Sequence, residues 1–485
     1  MRRMSGGVSS LRTILGNAGA LVIAEVVGRC LTFFAIAHLS RRLGPESMGM
    51  VELGLGIFGF LSLVALGGVE VLATRRVARR QGDIGRVATT QIAVAWLWTT
   101  PAAAMALLLL ATFNHPPPTA LIAGAIGATA LLSPFALRFA FQGREQMDGI
   151  ALGSLLGQAV WTASVLFFVR EPSDVRLVPM LWAAGEFSRV SLMLTLFGRR
   201  FGRLKRTRGR AVRAWLTASA AMSIGRVARG LLYFVDVLVL GLFAPLEVVG
   251  LYAVGLRIPL FLVSSTTLVN RALFPSFSRV LREESVPGAA RLLGMTAPAA
   301  ISLGLASAIT LAVAGEDFLV LLFGAPYAAA APWFAILLFR APLAGLSGLL
   351  RMVLWVERPR REASGAVLAT TVTLVLLVTL TPTLGAGGSA AAMLIGEAVL
   401  LVVYLRAAWT WARGTRFDGN WQVLQGVALL SLAVWASWTA GLDSTATMVS
   451  AVVVGAVTGF GPLLPGLARL RRSLSGARPE SDQSV

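Results

Sequence analysis

The chain has 485 residues, 56% of them hydrophobic and only 14% charged, with a formal net charge of +20. A soluble domain carries about 25% charged residues, so the composition is that of a membrane protein, and the positive charge reflects topology rather than nucleic-acid binding. The single cysteine, Cys30, excludes a disulfide framework, and the distant histidines His38 and His115 argue against a His-ligated metal.

Apolar runs of about 20 residues can cross ~30 Å of hydrocarbon as tilted helices. Fourteen recur, near 16–38, 50–72, 88–111, 119–141, 150–169, 177–198, 214–243, 249–270, 291–313, 331–354, 363–383, 388–407, 421–440 and 446–467. The predicted class is therefore all-α and polytopic. The first run is too long for a signal-peptide core and contains Glu25 and Arg29, so it is predicted to stay as a membrane helix. Alternate connections are basic. Arg75–Arg86 carries five arginines and Arg199–Arg213 carries seven plus Lys205, whereas 113–118 and 384–388 carry none. Of 43 basic residues, 32 fall on one side and four on the other: Arg41, Arg42, Arg170 and Arg176. The positive-inside rule then predicts cytoplasmic termini, and the basic loops can also touch anionic headgroups. No connection is long enough to fold as a separate domain. The sole lysine, Lys205, lies in RLKRT, so there is no G-x-x-x-x-G-K-[ST] nucleotide loop.

Seven arginines remain inside the runs: Arg29, Arg189, Arg226, Arg229, Arg257, Arg340 and Arg351. Each costs about 2.5–3.5 kcal/mol at the bilayer centre on insertion scales. They therefore need acidic partners, a water-filled cavity or an anionic passenger. In the first run Glu25, Arg29 and Thr32 share a helical face. In the seventh, Arg226, Arg229, Tyr233 and Asp236 recur at i, i+3, i+7 and i+10, which predicts one polar stripe along a continuous helix. Arg226 and Arg229 fall about 12–15 residues into that run, close to the midplane at about 1.5 Å per residue. Two readings are open. One is a cationic cavity, in which arginine forks suit a phosphate. The other is internal pairing, Glu25 with Arg29 and Asp236 with a neighbouring arginine. The acids Glu25, Glu52, Glu186, Asp236 and Glu397 are too few to pair with all seven arginines, and Glu186 is expected to pair with Arg189.

The chain also contains a repeat. With one insertion, PESMGMVELGLGIF at 45–58 aligns with PLEVVGLYAVGLRIP at 245–259, so that Gly49, Gly54, Leu55 and Ile57 match Gly250, Gly255, Leu256 and Ile258. Leu137-Arg138 and Leu350-Arg351 form a weaker echo. The offset covers six helices, an even number, so the halves share an orientation. The predicted organisation is a six-helix lobe at 1–210, a second at 211–412, and helices 13 and 14 with a basic tail at 413–485.

Several of these stretches resemble a known family. NAGALVIAEVVGRCLTFFAIAHLSRRLGPESMGMVELGLGIFGFL, FQGREQM at 141–147, YFVDVLVLGLFAPLEVVGLYAVGLR at 233–257, LFPSFSR at 273–279 and LLFGAPYAAAAPWFAILL at 321–338 occur in the order seen in bacterial polysaccharide flippases. Those proteins belong to the multidrug/oligosaccharidyl-lipid/polysaccharide exporter superfamily. The resemblance covers nearly the whole chain to about residue 410. It implies two six-helix lobes around a central cationic cavity in the bacterial cytoplasmic membrane. It also implies movement of a polyprenyl-pyrophosphate-linked oligosaccharide from the inner to the outer leaflet for cell-surface polysaccharide such as exopolysaccharide or O-antigen.

On that reading Arg29, Arg226, Arg229 and Arg257 hold the pyrophosphate. Glu25 and Asp236 act as charge partners or carry a coupling H+ or Na+. No cofactor is expected, and the expected partners are the lipid-linked glycan, membrane lipids, and the polymerase and glycosyltransferases of the same pathway. The lipid II flippase branch is similar in having two arginines in helix one and one in helix two. This chain has only Arg29 in helix one, and Glu52 without a central arginine in helix two. A multidrug exporter of cations would favour an acidic cavity. A membrane-embedded glycan polymerase or ligase would need large outward loops, which the chain lacks. A non-transporting scaffold that recruits assembly proteins through its basic loops is a further alternative.

Overall fold

The computed structural model describes residues 5–112, 116–283 and 285–411. The expected spans at 421–440 and 446–467 and the basic tail lie outside the described residues. The chain order is α1 (Ser5–Ala78), α2 (Ile84–Thr112), α3 (Pro117–Ala128), α4 (Arg138–Gly143), α5 (Met147–Phe168), α6 (Val178–Phe201), α7 (Gly209–Leu231), α8 (Val235–Phe243), α9 (Leu246–Glu283), α10 (Ser285–Val313), α11 (Gly315–Phe323), α12 (Ala331–Leu338), α13 (Arg340–Glu357) and α14 (Pro359–Trp411). The described residues contain no strand. Among the described residues, eight helical segments are long and apolar enough to cross a membrane, as the buried backbone of a bilayer protein demands.

Two of these helices are too long to be single spans. A straight helix of the 74 residues in α1 would run ~110 Å, several times the hydrocarbon thickness. It is interrupted at Gly44, where φ is +76° and Pro45 follows. α14 is interrupted at Gly385, where φ is +58°, inside the expected connection at 384–388. Only glycine adopts such angles without strain.

Two expected spans are not continuous. The run 119–141 is α3, a 3₁₀ stretch over Thr129–Ala136 and α4. Pro134 in that stretch lacks a backbone donor, and Leu137 after it takes the left-handed conformation. The predicted stripe on one unbroken seventh helix is also corrected, because α7 ends at Leu231 and α8 begins at Val235. The break lets the Phe234 ring pack against Gly59 of α1, so closely that a Cβ on Gly59 would lie 2.5 Å from it.

The chain divides into two compact units. The first comprises residues 1–254 and 322–326, the second 255–321 and 327–485. In the first, a core of Ala73, Val77, Phe139, Phe141, Phe197 and Trp215 ties α1, α4, α6 and α7 together. In the second, Phe277, Leu293, Leu349, Val353 and Tyr404 join α9, α10, α13 and α14.

The sequence repeat has a physical counterpart inside the first unit. A Cβ on Gly49 would lie 2.0 Å from the Leu246 carbonyl oxygen, and one on Gly250 would lie 1.9 Å from that of Pro45. Carried back without the insertion, the register that pairs Gly49 with Gly250 sets Pro45 opposite Leu246. The contact is therefore reciprocal, each repeat glycine seated on the partner repeat's backbone, as a local two-fold relation requires. The weaker echo does not extend to the backbone. Leu137 is left-handed, whereas Leu350 lies within the continuous helix α13.

Candidate functional site

The candidate site is built where α7 lies against the second half of α1. Gly68 and Gly230 make the approach possible. A Cβ on Gly68 would lie 2.4 Å from the Ser219 carbonyl oxygen, and one on Gly230 would lie 2.4 Å from Leu63. The Gly68 N–H donates to Ser223 Oγ at 2.9 Å, which satisfies a donor freed where α1 is distorted at Gly67. Ser219, Ser223, Arg226 and Gly230 recur at helical spacing, so this packing face also positions Arg226.

Arg226 is the central group. Its side chain is 44% exposed although it falls within the apolar run 214–243, and its Nη2 lies 3.5 Å from Oε2 of Glu70, which is 6% exposed. The other Glu70 oxygen is buried without a hydrogen-bond partner among the described residues. A contact this long on a half-exposed arginine contributes little stability and leaves most of the guanidinium's five donors available. Arg229 follows one turn later on α7; its side chain lies outside the described residues.

Asp236 does not share this face. It sits in the first turn of α8, 1% exposed, where a carboxylate is favoured by the helix dipole. Its Oδ1 accepts from the Val237 N–H at 2.9 Å, and its Oδ2 accepts from the Tyr252 hydroxyl at 3.1 Å. The acid beside Arg226 is Glu70, which the count of five acids in the runs does not include. Its context, VEV at 69–71, gives no periodic signal that would single it out. In α1, Glu25 and Arg29 do pair, Nη2 to Oε1 at 2.6 Å, both partly exposed. Arg257 lies on α9 in the second unit, partly buried.

The remaining arginines of the apolar runs separate by environment. Arg189 pairs with Glu186. The Arg351 guanidinium lies over the Trp355 ring at 5.6 Å. Arg340 is 4% exposed, and its Nε and Nη1 have no hydrogen-bond partner among the described residues. Glu397 of the same unit accepts from Ser347 Oγ at 3.0 Å instead.

The two most basic connections are joined to each other. Lys205 Nζ lies 2.6 Å from Asp83 Oδ2, and the Lys205 N–H donates to the Gly85 carbonyl at 3.3 Å. The hydrogen bond from Lys205, with that from the Arg86 N–H, holds the Asp83 carboxyl below its ordinary value. Arg200 makes a bidentate contact with Asp148, at 2.9 and 2.6 Å.

Among solved structures, the lipid II flippase MurJ in its inward closed conformation is similar at a TM-score of 0.70, with 10% identity, covering 92% of this chain and 99% of that one. An inward-facing multidrug resistance MATE family transporter of the MOP superfamily is similar at 0.60, with 15% identity and coverage of 79% and 94%. A MATE transporter in the bent conformation is similar at 0.51, with 15% identity and coverage of 87% and 98%. At such identities these likenesses show a shared transporter fold. No curated protein matches the chain by sequence. A family model described as "Polysaccharide biosynthesis protein" matches residues 14–281, more than half of the chain. The multi-pass helical fold and this match agree: the chain belongs to the polysaccharide biosynthesis protein family.

Proposed function

We propose that the protein is a secondary flippase that carries a polyprenyl-pyrophosphate-linked oligosaccharide from the inner to the outer leaflet of a bacterial cytoplasmic membrane, with both termini cytoplasmic. The observation that carries this reading is Arg226, an accessible guanidinium on a helix of an apolar run, held only loosely by Glu70 at 3.5 Å. A cation so placed is favoured where an anion passes. A pyrophosphate brings two or more negative charges and several acceptor oxygens, which arginine forks meet in geometry as well as charge. Arg229, one turn on, and Arg29 are proposed to share that group, and Arg257 in the second unit is proposed as a further ligand. Glu25 and Asp236 are proposed to carry a coupling H+ or Na+. A role in transport rather than catalysis is supported by the fold and family.

The lipid II substrate is the second reading. It draws on the fold shared with MurJ, but Arg29 as the single arginine of the first apolar run, 16–38, and Glu52 without a central arginine in the second weigh against it. Depletion of the protein in its host tests the reading. Lipid-linked oligosaccharide should accumulate on the cytoplasmic leaflet while lipid II processing continues. Accumulation of lipid II instead would establish the second reading.

A further inference from the structure

A second polar site lies wholly inside the first unit. A half-open cavity of about 290 Å³ is lined by α1, the 3₁₀ stretch before α4, and helices α4, α5 and α6. Its walls combine ring faces with groups that both donate and accept. Trp161, Trp182 and Phe58 form an edge-to-face series, with centroids 5.2 and 5.1 Å apart. Ser62, Ser133, Ser154 and Gln158 also line it, as do Arg138 and the Glu186–Arg189 pair.

Three features mark it as built to receive something. Trp161 is 2% exposed, yet its Nε1–H has no hydrogen-bond partner among the described residues, and the same holds for Gln158 Oε1. Buried groups of this kind are nearly always satisfied. The backbone is also strained at the site. Leu137, a non-glycine residue at φ +48°, directly precedes Arg138, and such outliers cluster at ligand sites. Finally, α5 and α6 approach through Gly157 and Gly185. A Cβ on either would lie 3.0 Å or less from the other's carbonyl oxygen. That approach brings Trp161 and Arg189 to one wall.

The charge decides what fits. Glu186 is neutralised by Arg189, and Arg138 makes no ion pair among the described residues, so the lining carries a net charge of +1. That disfavours a metal cation. The volume is at the low end for ligand sites and holds one ring of a lipid-linked oligosaccharide rather than the whole. Apolar faces beside paired donors and acceptors suit a hydroxyl-bearing ring better than a bare phosphate. We infer that this cavity receives one sugar residue bearing a single carboxylate, its ring against Trp182, a hydroxyl on the Trp161 Nε1–H and its acid group on Arg138. The inference rests on the glycan-flippase reading and adds to it a recognition site for an acidic sugar of the cargo.

The test is ligand-observed saturation-transfer NMR on the purified full chain in nanodiscs, with D-glucuronate, D-glucose and inorganic phosphate as probes. Glucuronate should bind in the millimolar range, more tightly than glucose, and phosphate should not displace it. Arg138→Gln should weaken glucuronate by about tenfold and leave glucose unchanged, as expected for loss of one charge-assisted contact. Trp161→Phe keeps the ring and removes the donor, and should weaken both sugars. Absence of sugar binding, displacement by phosphate, or binding indifferent to both substitutions would overturn the inference. Flipping by an Arg226→Ala/Arg229→Ala variant is measured alongside. If that variant is arrested but no sugar binds, only the sugar site fails. If sugar binds and that variant flips normally, it is the pyrophosphate reading that fails.

Discussion

The reciprocal glycine contact gives the sharpest prediction about what holds the first unit together. Replacing Gly250 by alanine places a methyl carbon 1.9 Å from the Pro45 carbonyl oxygen and 2.8 Å from the Gly49 nitrogen. Both neighbours are backbone, so no rotamer change relieves the clash. The segments must separate by more than 1 Å to restore even a 3.0 Å contact. Overpacking of this kind costs about 1–3 kcal/mol and occasionally more, and a rigid obstacle puts Gly250→Ala at about 3 kcal/mol. Gly49→Ala meets the Leu246 carbonyl at 2.0 Å and should cost a similar amount. The double variant should cost less than the sum, because one separation of the segments relieves both clashes. The control is Gly198→Ala, where a Cβ meets nothing within 4 Å; it should be neutral or slightly stabilising by helix propensity. Thermal unfolding in detergent, followed by loss of monodisperse protein, ranks the four variants. Equal midpoints for Gly250→Ala and Gly198→Ala would refute the close approach, and fully additive losses would refute its reciprocity.

Three further outcomes follow from the site geometry. Glu70→Gln should leave protein abundance near wild type, since a 3.5 Å contact to a half-exposed arginine contributes at most about 1 kcal/mol, while changing the flipping rate; a collapse in abundance would make Glu70 a structural partner. Tyr252→Phe removes a donor from the buried Asp236 carboxylate and should cost about 1–3 kcal/mol in unfolding, whereas Asp236→Asn should impair flipping more than folding. The Asp83–Lys205 link should persist at neutral pH and loosen only in strong acid. A depressed carboxyl contributes its stability above the unfolded value of 3.8 and loses it as pH falls through the still lower folded value. Hydrogen exchange at the residue 205 backbone amide, which donates to the Gly85 carbonyl, should therefore rise in Lys205→Ala at pH 7, and in the wild type only below pH 3.8.

Local patterns read from the sequence carry into the structure wherever one helix decides them. Glu25 and Arg29 pair at i,i+4, Glu186 pairs with Arg189, and the connections at Gly44 and Gly385 interrupt α1 and α14 where the apolar runs end. The repeat was legible because Gly49 and Gly250 meet backbone, and only glycine permits that. The polar stripe over Arg226–Asp236 failed for a tertiary reason. The helix breaks between Leu231 and Val235, where Phe234 packs on Gly59, and no feature of the 3.6-residue period signals it. Glu70 carries no signal in the sequence because its significance lies in a neighbour more than 150 residues away. The cavity of Arg138, Trp161 and Trp182 was illegible for the same reason, since its lining comes from five separate segments.

The central claim is that arginines of α7 meet a passing pyrophosphate. The most direct measurement is transbilayer movement of a fluorescent polyprenyl-pyrophosphate oligosaccharide in proteoliposomes, read by quenching of the label that remains in the outer leaflet. The account predicts movement with the wild type, partial loss in Arg226→Lys and Arg229→Lys, which keep charge but lose the planar fork, severe loss in each alanine variant, and none above protein-free vesicles in the double alanine variant. Each variant should reconstitute at wild-type yield. Wild-type rates in the double alanine variant at equal yield would contradict it.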